Sequence, residues 1–266
     1  MSGETARSAL GTVLRDAGLD WIVPDWPAPA NACAFSTTRA GGVSAAPYAT
    51  MNLGRNSGDD PAALAENRRR FESFVPDRPA ALRQVHGAGV AILRRARPIA
   101  SAPVADAAVT RERGVVCAIL TADCLPVLLA DRAGTAVGVA HAGWRGLAAG
   151  VLEATVAAMC NLGAEPGGLA AWLGPAIGPS AFEVGEDVFS AFCGKDPRAA
   201  EFFVPHRPGK WHADLYGLAR QRLARQGVTD VHGGGLCTFT DRARFFSFRR
   251  ERESGRMATA IWLDGE

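Results

Sequence analysis

Three residues carry side chains that can hold a metal ion or attack a carbonyl carbon: His86 in QVHG, Cys124 in TADCLPVLL and His141 in AHAGWRG. Cys124 and His141 are expected at the C-terminal ends of neighbouring strands, because the strand–turn–strand between them returns the chain to about where it began. A thiol beside an imidazole makes a nucleophile with its base. The same groups also ligate metals, and spacing alone leaves that choice open. The plain readings are a small buried cysteine and a histidine packed at the core edge by Trp144. Three features weigh against them. Asp123 precedes Cys124, and Pro126, which lacks an N–H, follows as if the strand ends there. His141 stands before AGWRG, at an expected helix N-terminus where backbone N–H groups and Arg145 favour an anion.

The elements that must position these residues read as one α/β body. A short amphipathic helix over 5–18 precedes a strand at 32–38 and a long Gly-, Ser- and Asn-rich segment ending at Pro61. A loop of that length inside a compact domain is uncommon, and its Arg39, Asn52 and Arg55 make it a functional candidate. Residues 61–74 read as a helix with Leu64, Asn67, Phe71 and Phe74 on one side. Short strands are expected at 80–86, 89–94 and 106–110. Three apolar runs follow, GVVCAILTADC, PVLLAD and TAVGVAHA, which suit strands buried on both faces. WRGLAAGVLEATVAAMCNLG reads as one helix stopped at Gly163. After a strand and turn in LAAWLGPAIGP come amphipathic helices in EVGEDVFSAFCG and HADLYGLARQRLARQG, the latter with Asp214 in its first turn. VTDVHGGGLCT reads as strand and loop. RFFSFRRERESGRMATAIWL reads as two final strands joined around Ser254 and Gly255. No composition shift marks a boundary and no repeat occurs, so the expected fold class is α/β, one domain with mixed sheets.

Composition excludes several function classes. A formal net charge of +2 with near-equal acids and bases gives no footprint for nucleic acid or membrane. No run approaches the ~20 apolar residues of a membrane helix. The first residues lack the apolar core of a secretory signal, which points to a cytoplasmic protein with reduced thiols. The six cysteines form no CxxC pair and no disulfide framework.

QVHG, TADCLPVLL, AHAGWRG, LGPAIGP and RFFSFRRERESGR together resemble the signatures of the multicopper-polyphenol-oxidase-like family, also called the laccase-domain, purine nucleoside phosphorylase or peptidoglycan-editing-factor family. FSTTRAGGVSAAPYATMNLGRNSGDDP is similar to that family's N-terminal motif, with one additional Thr and with Met51 where Leu is usual. The resemblance runs from about residue 34 to 263. It implies an α/β/β/α sandwich, with residues 1–30 an N-terminal extension and 31–266 the catalytic domain. It also implies zinc held by His86, Cys124 and His141. The chemistry agrees: one thiolate and two imidazoles suit a borderline-soft ion, and three protein ligands leave the fourth tetrahedral position open. Copper at a single such site is conceivable. True laccase chemistry is not expected, since five histidines are too few for mononuclear and trinuclear copper centres.

The resemblance further implies a purine nucleoside phosphorylase that cleaves adenosine, inosine, guanosine and methylthioadenosine with phosphate, and also deaminates adenosine. His86, Cys124, His141 and Arg145 are then the catalytic candidates. Arg39, Asn52, Arg55, Gln84 and Arg249 are the substrate-binding ones, with Arg250 a further phosphate candidate, because guanidinium pairs bidentately with phosphate. Gln84 and Asp123 are the nearest residues to orient the ligands. Trp144 and Phe182 are candidates to stack on a base, whereas Phe246 reads as core. No HxE or PCxxC occurs, so the proton shuttle of other zinc deaminases must come from elsewhere. The partners implied are a small-molecule nucleoside and phosphate, with the chain a monomer or weak homodimer. The alternative is a Cys–His amide hydrolase that removes L-serine from a UDP-linked muramic acid in peptidoglycan editing; it uses the same residues.

Overall fold

The structure, a computed structural model, describes residues 6–95 and 102–265. Its strands are β1 (Ala32–Ser36), β2 (Val90–Ile92), β3 (Ala107–Thr110), β4 (Cys117–Thr121), β5 (Leu125–Asp131), β6 (Val137–Ala142), β7 (Leu169–Leu173), β8 (Glu183–Gly185), β9 (Phe203–Arg207), β10 (Lys210–Ala213), β11 (Asp230–Gly233) and β12 (Met257–Leu263). The helices are α1 (Ala6–Asp16), α2 (Pro61–Glu72), α3 (Trp144–Ala149), α4 (Val151–Cys160), α5 (Glu186–Cys193), α6 (Leu215–Arg225) and α7 (Phe248–Glu251).

A six-stranded sheet in the order β11-β7-β5-β6-β3-β2 is mixed: antiparallel in the middle and parallel at both edges. A three-stranded antiparallel sheet, β1-β12-β4, packs on one of its faces through Ala34, Ile119, Leu128, Val139, Ile261 and their neighbours. The opposite face of the large sheet is covered by α4, α5 and α6 through Val127, Leu152, Val156, Phe192 and Leu218. The outer face of the small sheet is covered by α1 and α2 through Leu14, Phe35, Phe71 and Trp262. The layers therefore run α/β/β/α. Covering on both faces explains why β5 and β6 are continuous apolar runs, every residue buried. A separate small sheet, β8-β10-β9, lies at the periphery, with most of β9 exposed.

Several elements differ from the sequence reading. Residues 80–86 form no strand, only an isolated bridge from Arg83 to Val104. The helix expected from Trp144 to the Gly163 stop is broken at Gly150, whose φ of 99° ends α3 and starts α4. The two strands expected at the C-terminus are one: Phe245 and Phe246 are buried without strand pairing, and α7 leads into β12. Asp214 caps α6 from outside, accepting from the Tyr216 N–H at 2.9 Å, and the preceding His212 and Ala213 belong to β10.

The long loop before α2 is held from within. Buried Asn67 on α2 accepts from the Val43 N–H at 2.8 Å and donates to Ser44 Oγ and to the carbonyls of Thr50 and Asn52 at 2.8 to 3.0 Å. The helical periodicity that placed Asn67 with Leu64 and Phe71 was marking a buried anchor for this loop.

Candidate metal centre and its cavity

Cys124 lies in the bend where the chain leaves β4 in the small sheet and enters β5 in the large one. It therefore stands at the N-terminal end of β5, and Pro126, expected to end a strand, is the second residue of that strand. β5 runs antiparallel to β6, with Pro126 opposite His141, so the start of one strand meets the end of the other. His86 arrives from the segment before β2. The ligand-type atoms of His86, Cys124 and His141 all lie within 4.8 Å of one another, and the two imidazoles are 4.8 Å apart at 70°.

The positions that force this meeting are conformationally specific. His86 has a φ of 60° and Asp123 a φ of 87°, left-handed conformations that cost most residues about 1–2 kcal/mol and persist where surroundings over-determine them. Asp123 is fixed on three sides: its carboxylate accepts from Thr238 Oγ1 at 2.6 Å and the Arg249 N–H at 2.7 Å, and its carbonyl accepts from the Ile177 N–H at 2.9 Å. His86 is fixed by Asp106, which is fully buried. The Asp106 carboxylate accepts from the N–H groups of Val85, His86 and Gly87 at 3.1, 2.8 and 2.8 Å, and lies 2.8 Å from His141 Nδ1. A carboxylate only accepts, so Nδ1 carries the proton and Nε2 is free to face the thiol. One side chain thus orients two of the three ligand residues.

The glycines of AHAGWRG have a spatial reason. A Cβ on Gly143 would stand 2.7 Å from Cys124 Sγ, and one on Gly146 2.8 Å from the Gly87 carbonyl. The segment starting α3 can pass under the cluster only with no side chain there. α3 itself has six residues, too short to supply the anion-binding N-terminus expected beside His141, whose ring is instead engaged by Asp106.

The electrostatics couple the thiol to the imidazoles. Burial alone would push the Cys124 thiol up; the charge and hydrogen bond of His141, with those of His86, outweigh it and bring it down to about 6. Burial would likewise lower His141, but Cys124 and Asp106 outweigh it and raise the imidazole to about 9. Burial also opposes ionisation of Asp106, and the hydrogen bonds from His141, Gly87 and Val85 overcome it and hold the carboxyl at about 2. A thiolate beside two imidazoles is the donor set of a borderline-soft metal. A tetrahedral zinc bound at ~2.0–2.3 Å would set its ligand atoms roughly 3.3–3.7 Å apart, a contraction within the reach of side-chain rotation. His86, Cys124 and His141 fit such an ion, with one position left for substrate or water.

The cluster forms part of the wall of a cavity of about 780 Å³. Arg55, Gln84, Arg145 and Arg249 also line it, as do Trp144, Phe182 and Phe248. Arg145 lies with its guanidinium carbon 4.5 Å from the Trp144 ring centroid, and among the described residues its side chain has no hydrogen bond or ion pair. Arg249 stacks over Phe182 at 5.3 Å and donates to the Glu183 carbonyl at 2.8 Å. Gln84 is committed at both ends of its amide, donating to the Leu120 carbonyl and accepting from the Leu120 N–H, each at 2.9 Å. Its role in the fold is to occupy the open edge of β4.

Arg39 and Asn52 are not brought to the cavity wall. Arg39 donates to the carbonyls of Ala49 and Arg242, pairs with Glu251 at 3.3 Å and lies over Phe246. Asn52 is fully buried and bonds Ser57, Asp59, Gly54 and Arg256. Both hold the long loop in place. Arg250 is likewise consumed, donating to the carbonyls of Thr238, Phe239 and Phe245. Sequence reasoning missed Asp106, which is remote in sequence from His86 and His141 and was read only as the start of a strand. It also missed Phe248 and Arg256, in the segment read as two final strands joined around Ser254 and Gly255. The orienting role expected of Gln84 and Asp123 belongs to Asp106.

A protein-family model described as multi-copper polyphenol oxidoreductase laccase matches residues 33–264. The chain is 54% identical over 244 residues to "Purine nucleoside phosphorylase PA4543" of Pseudomonas aeruginosa, covering 91% of this chain and 98% of that protein. It is 51% identical to "Purine nucleoside phosphorylase YfiH" of Escherichia coli, with the same coverage of 91% and 98%. Among solved structures, protein NMB0706 of Neisseria meningitidis, assigned to DUF152, superposes with a TM-score of 0.87 at 50% identity, covering 92% of this chain and 100% of that one. YlmD of Geobacillus stearothermophilus also superposes with a TM-score of 0.87, at 32% identity over 92% and 96% of the two chains. By a match across most of its length, and by this likeness in sequence and fold, the chain belongs to the multi-copper polyphenol oxidoreductase laccase family.

Proposed function

We propose that the chain is a metal-dependent purine nucleoside phosphorylase, with zinc rather than copper the metal and adenosine deamination a side activity. The observation that carries the reading is an open three-ligand cluster in the wall of a cavity that also presents aromatic faces and an arginine whose guanidinium, among the described residues, has no hydrogen bond or ion pair. The relatives named purine nucleoside phosphorylase support it. Adenosine, inosine, guanosine and methylthioadenosine are the substrates expected.

In this reading Trp144, Phe182 and Phe248 offer faces to the base. Arg145 takes the phosphate and holds it on one side of the ribose, with Arg249 close to Phe182 as a second cation. Phosphorolysis forms a bond between a phosphate oxygen and the anomeric carbon as the glycosidic bond breaks, and the base leaves with a proton. Positioning and the two guanidinium groups supply most of what such a step needs, since a bound anion is presented to a developing cation. Asp106 holds the His141 proton on Nδ1 and so turns Nε2 toward the cluster. Zinc, when bound, supplies a Lewis acid and a water acidified to a pKa of about 7, which is the chemistry deamination requires.

One observation favours a second reading. The depressed thiol of Cys124, the raised imidazole of His141 and the buried Asp106 carboxylate on its far nitrogen form a thiolate–imidazolium pair with an orienting carboxylate, the arrangement used in acyl transfer. It supports a Cys–His amide hydrolase acting on an L-serine-bearing muramic acid precursor.

The deciding experiment is a product assay on adenosine, with and without phosphate, using metal-quantified protein and Cys124→Ala as control. Phosphate-dependent release of adenine and ribose-1-phosphate, lost in Cys124→Ala together with bound metal, is the expected result. Absence of phosphate-dependent base release would overturn the phosphorylase reading. Amide cleavage that survives a chelator but not alkylation of Cys124 would establish the second reading instead.

A further inference from the structure

Helix α2 carries Arg68, Arg69 and Arg70 in succession, and the three have different surroundings. Arg69 and Arg70 both pair with Glu66, at 2.7 and 2.8 Å, and Arg70 also donates to the Gly41 carbonyl at 3.1 Å. Arg68 turns the other way, half-buried in the cavity wall, and among the described residues its guanidinium has no hydrogen bond or ion pair. Arg55, exposed on the long loop, lines the same cavity close enough for its charge to act on Arg68, and likewise has no ion pair among the described residues. Arg78 completes this group with Glu72, 3.2 Å away. The two carboxylates of the wall are Glu72 and, beside Cys124, Asp123. Glu72 is shared with Arg78 and Asp123 is claimed by Thr238 and Arg249.

A guanidinium withdrawn from water without a carboxylate is unfavourable in the empty protein. Burial first, then the neighbouring charge of Arg55, lower the pKa of Arg68; Glu72 opposes this and Arg78 adds to it. The cost falls when an anion enters. Ordinary solvated surface arginines do not look like this, as Arg69 one position along shows, 71% exposed and paired. Arg256 links the two ends of the cavity. Its stem passes where a Cβ on Gly54 would stand 2.7 Å from Cγ, and its charge lies in the field of Cys124 and Asp123.

We propose that the α2 end of the cavity is an anion subsite for a phosphate-class group, bound by Arg68 and Arg55 with Arg78 beside them and separate from Arg145 and Arg249 at the metal cluster. Guanidinium groups that line one cavity and lie close enough for their charges to act on one another suit the several oxygens of a phosphoryl or diphosphoryl group. The group has two possible sources: a free anion, or a phosphoryl group carried by a ligand whose nucleoside lies toward the cluster. The second source rests on the nucleoside reading above; the subsite itself does not.

The test is calorimetric titration of the full-length protein with inorganic pyrophosphate, adenosine and adenosine 5′-diphosphate at low salt, repeated with Arg68→Gln, Arg55→Gln and Arg69→Gln. Pyrophosphate is expected to bind the wild-type protein and Arg69→Gln alike, and about tenfold or more weakly to Arg68→Gln, the loss one charge-assisted hydrogen bond carries. Arg55→Gln, a change on an exposed loop that leaves the core untouched, should weaken it in the same direction. A diphosphate that binds tighter than adenosine, with the advantage lost in Arg68→Gln, assigns the group to the ligand. Equal binding of the two, with pyrophosphate still dependent on Arg68, assigns it to a free anion. No pyrophosphate binding, or an equal loss in Arg69→Gln, overturns the subsite. Absence of phosphorolysis with Arg68-dependent pyrophosphate binding intact would remove the nucleoside reading and leave the subsite standing.

Discussion

Four of the five histidines come in facing pairs, and the two pairs behave differently. His86 and His141 meet at the crossover between the sheets, with a thiol between them and a fully buried carboxylate, Asp106, behind. His206 and His212 stack at 4.2 Å on the peripheral sheet, with Glu183 3.5 Å from His206 Nε2. Residue types alone make these clusters look alike. Glu183, however, is already held by two bonds from Arg207, at 2.6 and 2.8 Å, and half of His206 is in water. Exposed pairs of this kind contribute little. Asp106 is instead dedicated to three backbone N–H groups and one imidazole. What distinguishes this site is a fully buried carboxylate whose partners are all a ligand imidazole or the backbone of the turn that carries another ligand.

That contrast can be broken by substitution. Asp106→Asn should have the largest effect. It keeps the shape but removes the charge and one acceptor, leaving the 85–87 turn and His141 to share the single oxygen that remains. Metal affinity or turnover should fall roughly 10–100-fold, and unfolding free energy by about 1.5–3 kcal/mol, the scale of a hydrogen bond to a charged group. Metal titration and denaturant melts check the two losses; a wild-type value in both would remove Asp106 from the site. Gly143→Ala should act next. Its new methyl would press on Cys124 Sγ, so metal affinity should drop while the protein still melts cooperatively. His206→Ala should have the smallest effect, with turnover, metal content and melting temperature at wild-type values. A loss there comparable to that of Asp106→Asn would mean that the peripheral pair belongs to the site after all.

How far the site was legible follows from which signals are local. His86, Cys124 and His141 each stand in a short distinctive motif, and an antiparallel hairpin between Cys124 and His141 brings them together whichever strand ends they occupy. Cys124 follows the end of β4 by three residues and directly precedes β5, and Pro126, read as following a strand end, is the second residue of β5. Asp106 left no signal, since its work is done on backbone groups of residues far from it in sequence. Arg39, Asn52 and Arg250 were read as free polar groups in a functional loop and turn. Folding spends each of them on backbone carbonyls or N–H groups, which only tertiary structure reveals. The apolar runs pointed to strands buried on both faces, while the order of the layers came with the family resemblance. The break between α3 and α4 rests on the left-handed backbone of Gly150, and the collapse of two expected C-terminal strands into one on the burial of Phe245 and Phe246.

Gln84 has a consequence beyond the site. β4 is the outer strand of its sheet, and an unpaired strand edge invites another chain to add to it. By meeting both backbone groups of Leu120, the Gln84 amide imitates one residue of a neighbouring strand and goes no further. The sheet is closed to recruitment at that point without a fourth strand, which would have filled the space the cavity occupies. A single side chain thus blunts that edge against pairing with another chain while leaving the cavity beside it clear.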